Sequence, residues 1–151
     1  MTMNIKAVIF DADGVLVRSA YLSARLLDKE ERAKRKWNKD LPAPKEVFDN
    51  FFGGIFQDCL VGKGDLKTEL EKVVGKWRWS GTVDELLAYW FSEEANKVDH
   101  RFESVVGALK SRGIVCALGT NNEKYRTHDL IHNKGLGKWF AKHLHFSSSN
   151  V

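Results

Sequence analysis

Hydrophobic and polar positions along the chain fall into two textures. Ile5 to Phe10 (IKAVIF) and Ile114 to Leu118 (IVCAL) are short, mostly apolar runs rich in β-branched residues, the pattern of buried strands in a parallel sheet. Each run stops at a polar turn, Asp11-Ala12-Asp13-Gly14 after the first and Gly119-Thr120-Asn121-Asn122 after the second. Between them, from Arg18 to about Asn96, the spacing turns helical and is interrupted by Pro42 and Pro44, Gly53-Gly54, Gly62 and Gly64, and Ser80-Gly81. It predicts a lobe of several short helices. Thr82 with Glu85 forms a capping box ahead of Leu86, Leu87, Tyr89 and Trp90, and predicts a helix over about 83 to 96. Phe102, Val105, Val106 and Leu109 make one apolar helical stripe, with Gly113 placed as its C-terminal cap. A further helix is expected from about Glu123 to Asn133, closing at Gly135, and alternation over His143 to Phe146 predicts a third strand before Ser147-Ser148-Ser149.

This order implies an α/β fold, a Rossmann-like three-layer core in which parallel strands are joined by crossover helices. Ligands of such sheets bind beyond the carboxyl ends of the strands, which directs attention to Asp11 and Thr120. The first turn places two carboxylates at one strand end, with Gly14 free to take a bend that a side chain would hinder. Two close acids divide labour: one holds a hard cation and attacks an electrophile, while its neighbour carries a proton. Turn formation alone accounts for Asp and Gly in a loop, yet a turn seldom needs two acids at a buried strand end. The alternating ligands and closing Glu of an EF-hand calcium loop are missing.

Composition narrows the classes. At 151 residues, 43% hydrophobic and 29% charged, the chain suits one globular core with a smaller inserted lobe. No apolar run approaches the roughly 18 residues of a membrane span, and the N-terminus lacks the basic and small-residue features of a signal peptide. Two distant cysteines, Cys59 and Cys116, indicate neither a disulfide framework nor a cysteine zinc site, so a cytoplasmic location is expected. The formal charge of +4 is spread out except at Lys29 to Lys39, where Glu30 and Glu31 interleave with the bases as on a solvated helix face. No nucleic-acid module accompanies it. His128 and His132 have the spacing of a helical zinc pair, with His143 and His145 near in sequence, but Asp replaces the expected Glu and the segment is already accounted for as a crossover helix.

VIFDADGVL, positions 8 to 16, and ALGTNN, positions 117 to 122, together resemble the first two motifs of the haloacid dehalogenase-like superfamily of aspartate-nucleophile phosphohydrolases. The resemblance implies that Asp11 forms an aspartyl-phosphate and that Asp13 acts as general acid and then general base. It implies that Thr120, through its hydroxyl, and Asn121, through its backbone N–H, hold the phosphoryl oxygens, and that Asp11 and Asp13 contribute to a Mg²⁺ site. A Thr ahead of a helix is also an ordinary helix cap. The helical segment between the motifs is similar to a cap domain inserted after the first motif, giving a core of residues 1–17 and 98–151 and a cap of 18–97. Phe52, Gly53 and Lys63 are cap positions that could face the site, and are equally explained as core packing, a turn and a solvated lysine.

A third motif with Lys or Arg and a fourth with paired acids should follow Val151, so the chain resembles the first two-thirds of such an enzyme. The expected function is Mg²⁺-dependent hydrolysis of a small phosphomonoester, sugar phosphates being among the candidates. The competing expectation is a non-catalytic remnant that binds a ligand or partner without turnover. Haloacid dehalogenation is less favoured, because it needs neither the metal nor an acid at position 13. The resemblance places the Asp11 strand beside the strands preceding Thr120 and Ser147, so in this chain it becomes a sheet edge and a surface for self-association.

Overall fold

A computed structural model describes residues 5–19, 49–141 and 145–150. The expectations for Lys29 to Lys39, Pro42, Pro44 and His143 lie outside these residues. In chain order the elements are β1 (Ala7–Asp11), β2 (Val17–Ser19), α1 (Phe56–Leu60), α2 (Leu66–Val73), α3 (Val83–Trp90), β3 (Asn96–Val98), α4 (Arg101–Ser111), β4 (Val115–Thr120), α5 (Lys124–His128) and β5 (His145–Ser147). The chain divides into two compact units, Met1–Ser19 with Lys97–Val151, and Ala20–Asn96.

In the first unit β1, β4 and β5 form a parallel sheet in that spatial order, the α/β arrangement that the strand–helix alternation implies. Asp11 stands opposite Gly119 and Thr120 opposite Ser147, so all three strands end at one edge of the sheet. Gly119 is required there, because a Cβ would lie 2.7 Å from Ile9 Cγ2. β2 and β3 make a separate two-stranded ribbon.

The covered face of the sheet presents Phe10, Cys116 and Leu118 to Val106 of α4 and to Leu130, Leu136, Trp139 and Phe140, which follow β4. Phe10 sits edge-on to Phe102 and against Phe140, with ring centroids 6.5 and 5.7 Å away. The opposite face is open: Ile9 is 69% exposed, Phe146 52% and Val115 47%. The apolar runs therefore do not form strands buried on both sides, as their composition suggested. Alternate side chains point to opposite faces, and the helical cover lies on one of them. On α4, Val106 is buried and Phe102 and Leu109 pack partly against the core, whereas Val105 is exposed and does not belong to the inward stripe.

The second unit is helical over its described part. The Thr82–Glu85 capping box forms in both directions, and Asp65 caps α2 by accepting from the Thr68 N–H at 3.0 Å. Phe51, Phe52, Phe56, Trp77 and Trp90 pack as one aromatic group, mostly in edge-on pairs about 5 to 6 Å apart. Gly53 and Gly54 do not break the chain here. They lie inside a wide helical turn, Phe51–Ile55, that runs directly into α1. Helix α3 ends at Trp90 rather than near 96, because the buried Asn96 amide bonds the carbonyls of Trp90 and Ser92 and satisfies that end.

Candidate active site

The turn after β1 is tight. Gly14 takes φ +83°, and its N–H bonds the Val17 carbonyl at 2.8 Å while the Val17 N–H returns to Ala12 at 2.9 Å. Ala12, Leu16 and Val17 are fully buried and anchor this loop in the core. Asp11 is therefore left exposed at the strand end, its Oδ1 accepting the Ala12 N–H at 2.7 Å. Among the described residues its Oδ2 has no partner.

Asp13, two residues on, is held from several directions. Its Oδ1 accepts from Arg126 Nη2 at 2.7 Å and from the Ser19 hydroxyl, and its Oδ2 accepts from Asn122 Nδ2 at 2.5 Å. Burial alone would raise the Asp13 carboxyl, but the charge of Arg126 and the hydrogen bonds from Arg126, Ser19 and Asn122 outweigh it and hold the group below its ordinary value of 3.8. Asp13 is a carboxylate in this arrangement. The Arg126 side chain is only 7% exposed, and its other arm reaches Asp129 Oδ2 at 3.1 Å.

Asn122 joins the two turns. A carboxylate only accepts, so the amide nitrogen must face Asp13, and its second hydrogen goes to Thr120 Oγ1 at 2.6 Å. Thr120 thus accepts from Asn122 and keeps its own hydroxyl hydrogen for another acceptor. The backbone carbonyl of Asn122 in turn accepts from Ser147 Oγ at 2.7 Å, and Thr127 Oγ1 donates to Ser147 at 3.0 Å. Thr120 does not cap the following helix. Glu123 does, accepting from the N–H groups of Tyr125 and Arg126.

The structure accordingly links Asp13 to Thr120, places Asp11 beside them at the sheet edge, and leaves Asn121 exposed. Sequence reasoning missed Arg126, Ser19 and the bridging role of Asn122. One signal was available: Arg126 shares the inward face of α5 and its continuation with Thr127 and Leu130, and a charge on a buried stripe calls for a partner. His128 and His132 are exposed, their rings 4.4 Å apart, and His145 lies near the Phe140 carbonyl instead.

Among the described residues no three or more His, Cys, Asp or Glu side chains cluster as a metal site. Magnesium asks for less, one or two carboxylates completed by water and substrate phosphate. Asp11, exposed and accepting one hydrogen bond, on Oδ1, fits as such a ligand with Oδ2 still open, whereas the donors on Asp13 leave it one lone pair, on Oδ2. Among the described residues no helix is long and apolar enough to cross a membrane.

A search of curated proteins finds no match to this chain. The family model for haloacid dehalogenase-like hydrolases matches residues 5–151, which include both strand-end turns, the first with Asp11 and Asp13 and the second with Thr120 and Asn122. The chain belongs to the haloacid dehalogenase-like hydrolases.

Proposed function

We propose that the chain hydrolyses a small phosphomonoester through an aspartyl-phosphate on Asp11. The observation that carries this reading is the joining of the two strand ends: one amide, Asn122, bonds both Asp13 and Thr120, beside an Asp11 with an open oxygen. Dehalogenation is disfavoured because it leaves Asp13 and its partners without a task.

Asp13, a carboxylate at rest, first takes the proton of the phosphomonoester monoanion; Asp11 Oδ2 then attacks phosphorus in line while Asp13 returns that proton to the leaving oxygen and the phosphorus–oxygen ester bond breaks. Thr120 donates its hydroxyl to a phosphoryl oxygen, its own oxygen being oriented by Asn122, and the Asn121 N–H adds a second donor. Water then attacks the same phosphorus, giving a proton to Asp13, and the bond to Asp11 breaks to release inorganic phosphate. Magnesium, with Asp11 among its ligands, would offset the charge of the transferred phosphoryl group.

The test is hydrolysis of p-nitrophenyl phosphate with and without Mg²⁺. Parent protein should turn over in Mg²⁺, and Asp11→Asn should lower the rate by about a thousandfold or more with an unchanged circular dichroism spectrum. Retention of activity within about tenfold would remove Asp11 as the nucleophile.

A further inference from the structure

Arg126 is a buried guanidinium gripped by two carboxylates, Asp13 Oδ1 at 2.7 Å and Asp129 Oδ2 at 3.1 Å. Neither end of this arrangement is loose. Asp129 also accepts from Asn133 Nδ2 at 3.0 Å, and the Arg126 N–H is tied to the Glu123 carboxylate at 2.6 Å. A planar fork with two carboxylate partners fixes direction as well as charge, which a point charge does not. Both lone pairs of Asp13 Oδ1 are filled, by Arg126 and Ser19, while Asn122 fills one on Oδ2. The remaining lone pair belongs to Oδ2.

We propose that Arg126, braced by Asp129, is a positioning residue for Asp13: it pins Oδ1 and so makes Oδ2 the oxygen that passes the proton to the leaving group and takes it from water. This rests on the phosphohydrolase reading above and adds to it a residue on the helix after the second strand-end turn, outside the carboxylates and the phosphate cradle. A buried ion pair of this kind adds little net stability, since the cost of desolvating three charges opposes their attraction. What it supplies is a fixed orientation.

The readout is the dependence on leaving group. Ethyl phosphate needs a proton delivered to its departing alkoxide, whereas p-nitrophenyl phosphate departs with little help, so loss of aim in Asp13 depresses the first far more than the second. Arg126→Lys keeps the positive charge and loses the fork; Asp129→Asn keeps Arg126 and weakens its brace. Both variants, with Asp13→Asn as reference, are compared with parent by kcat/KM on the two substrates after circular dichroism confirms folding.

Arg126→Lys is expected to lower the ethyl-to-nitrophenyl ratio of kcat/KM about tenfold or more, Asp129→Asn by a smaller factor in the same direction, and Asp13→Asn the most. If Arg126→Lys does not fold, Asp129→Asn is read alone. An unchanged ratio in the folded variants, with Asp13→Asn lowering it, overturns the positioning role and leaves the phosphohydrolase reading standing. Failure of the parent to hydrolyse either ester overturns that reading and this inference with it.

Discussion

The two faces of the sheet in the first unit are built from the same three strands and meet opposite fates. On the covered face Phe10, Cys116 and Leu118 are buried under α4 and the segment after α5; on the other, Ile9, Val115 and Phe146 remain 69, 47 and 52% exposed. The alternation that separates these residues also sorts the chemistry. Asp11 has the parity of Ile9 and is exposed, its carboxylate accepting one backbone N–H, that of Ala12. Thr120 has the parity of Leu118, is 8% exposed, and is wired through Asn122 to Asp13 and from there to the buried Arg126. In the proposed mechanism the nucleophile, Asp11, needs an approachable oxygen and the proton carrier, Asp13, a fixed one, and the two carboxylates differ in that way.

The sharpest way to break this comparison is by truncation on each face. Leu118→Ala, at a site 1% exposed, should cost about 2–5 kcal/mol, whereas Ile9→Ala should change stability by no more than about 0.5 kcal/mol. Urea melts of the two variants decide it. Near-equal losses would mean that the second face is also packed in solution.

Thr120→Ala probes the wired side. Because Glu123 rather than Thr120 caps α5, the substitution should spare the helix while lowering phosphate ester hydrolysis by about a hundredfold. Loss of stability without loss of rate would return Thr120 to a structural role.

Acid separates the two carboxylates further. The Asp13 carboxyl is held below 3.8 in the folded chain, so it contributes stability that is present above that value and is lost as pH falls through the folded value. Melting temperature should therefore drop below about pH 4, and Asp13→Asn should flatten that limb. A parent and variant with identical acid limbs would show that Asp13 is not ion-paired.

The smallest effect on the fold, though not on assembly, belongs to the open side. Among the described residues β1 is an edge strand that carries the exposed Ile9, an arrangement that invites pairing with a second copy. Light scattering should show association of the parent, and Ile9→Lys should suppress it with little change in melting temperature.

Much of this was legible in the sequence because the signals were local. The capping box at Thr82 and Glu85, the parallel β–α alternation and the acids after the first strand all follow from neighbouring residues. What escaped was long-range. No local pattern ties Arg126 to Asp13, because their pairing exists only once β1 and β4 are side by side. The apolar composition of Ile5 to Phe10 likewise could not tell one covered face from two, since that depends on where helices pack. Gly53-Gly54 misled for a related reason: flanking aromatic contacts hold the chain helical where propensity alone would break it.

The central claim is that Asp11 takes the phosphoryl group, and acid quenching of the protein during turnover of p-nitrophenyl phosphate in Mg²⁺, followed by peptide mapping by mass spectrometry, tests it most directly. The account predicts a hydroxylamine-labile phosphoryl group on the peptide containing Asp11, absent from Asp11→Asn. Turnover without a covalent adduct, or an adduct on another residue, would contradict it.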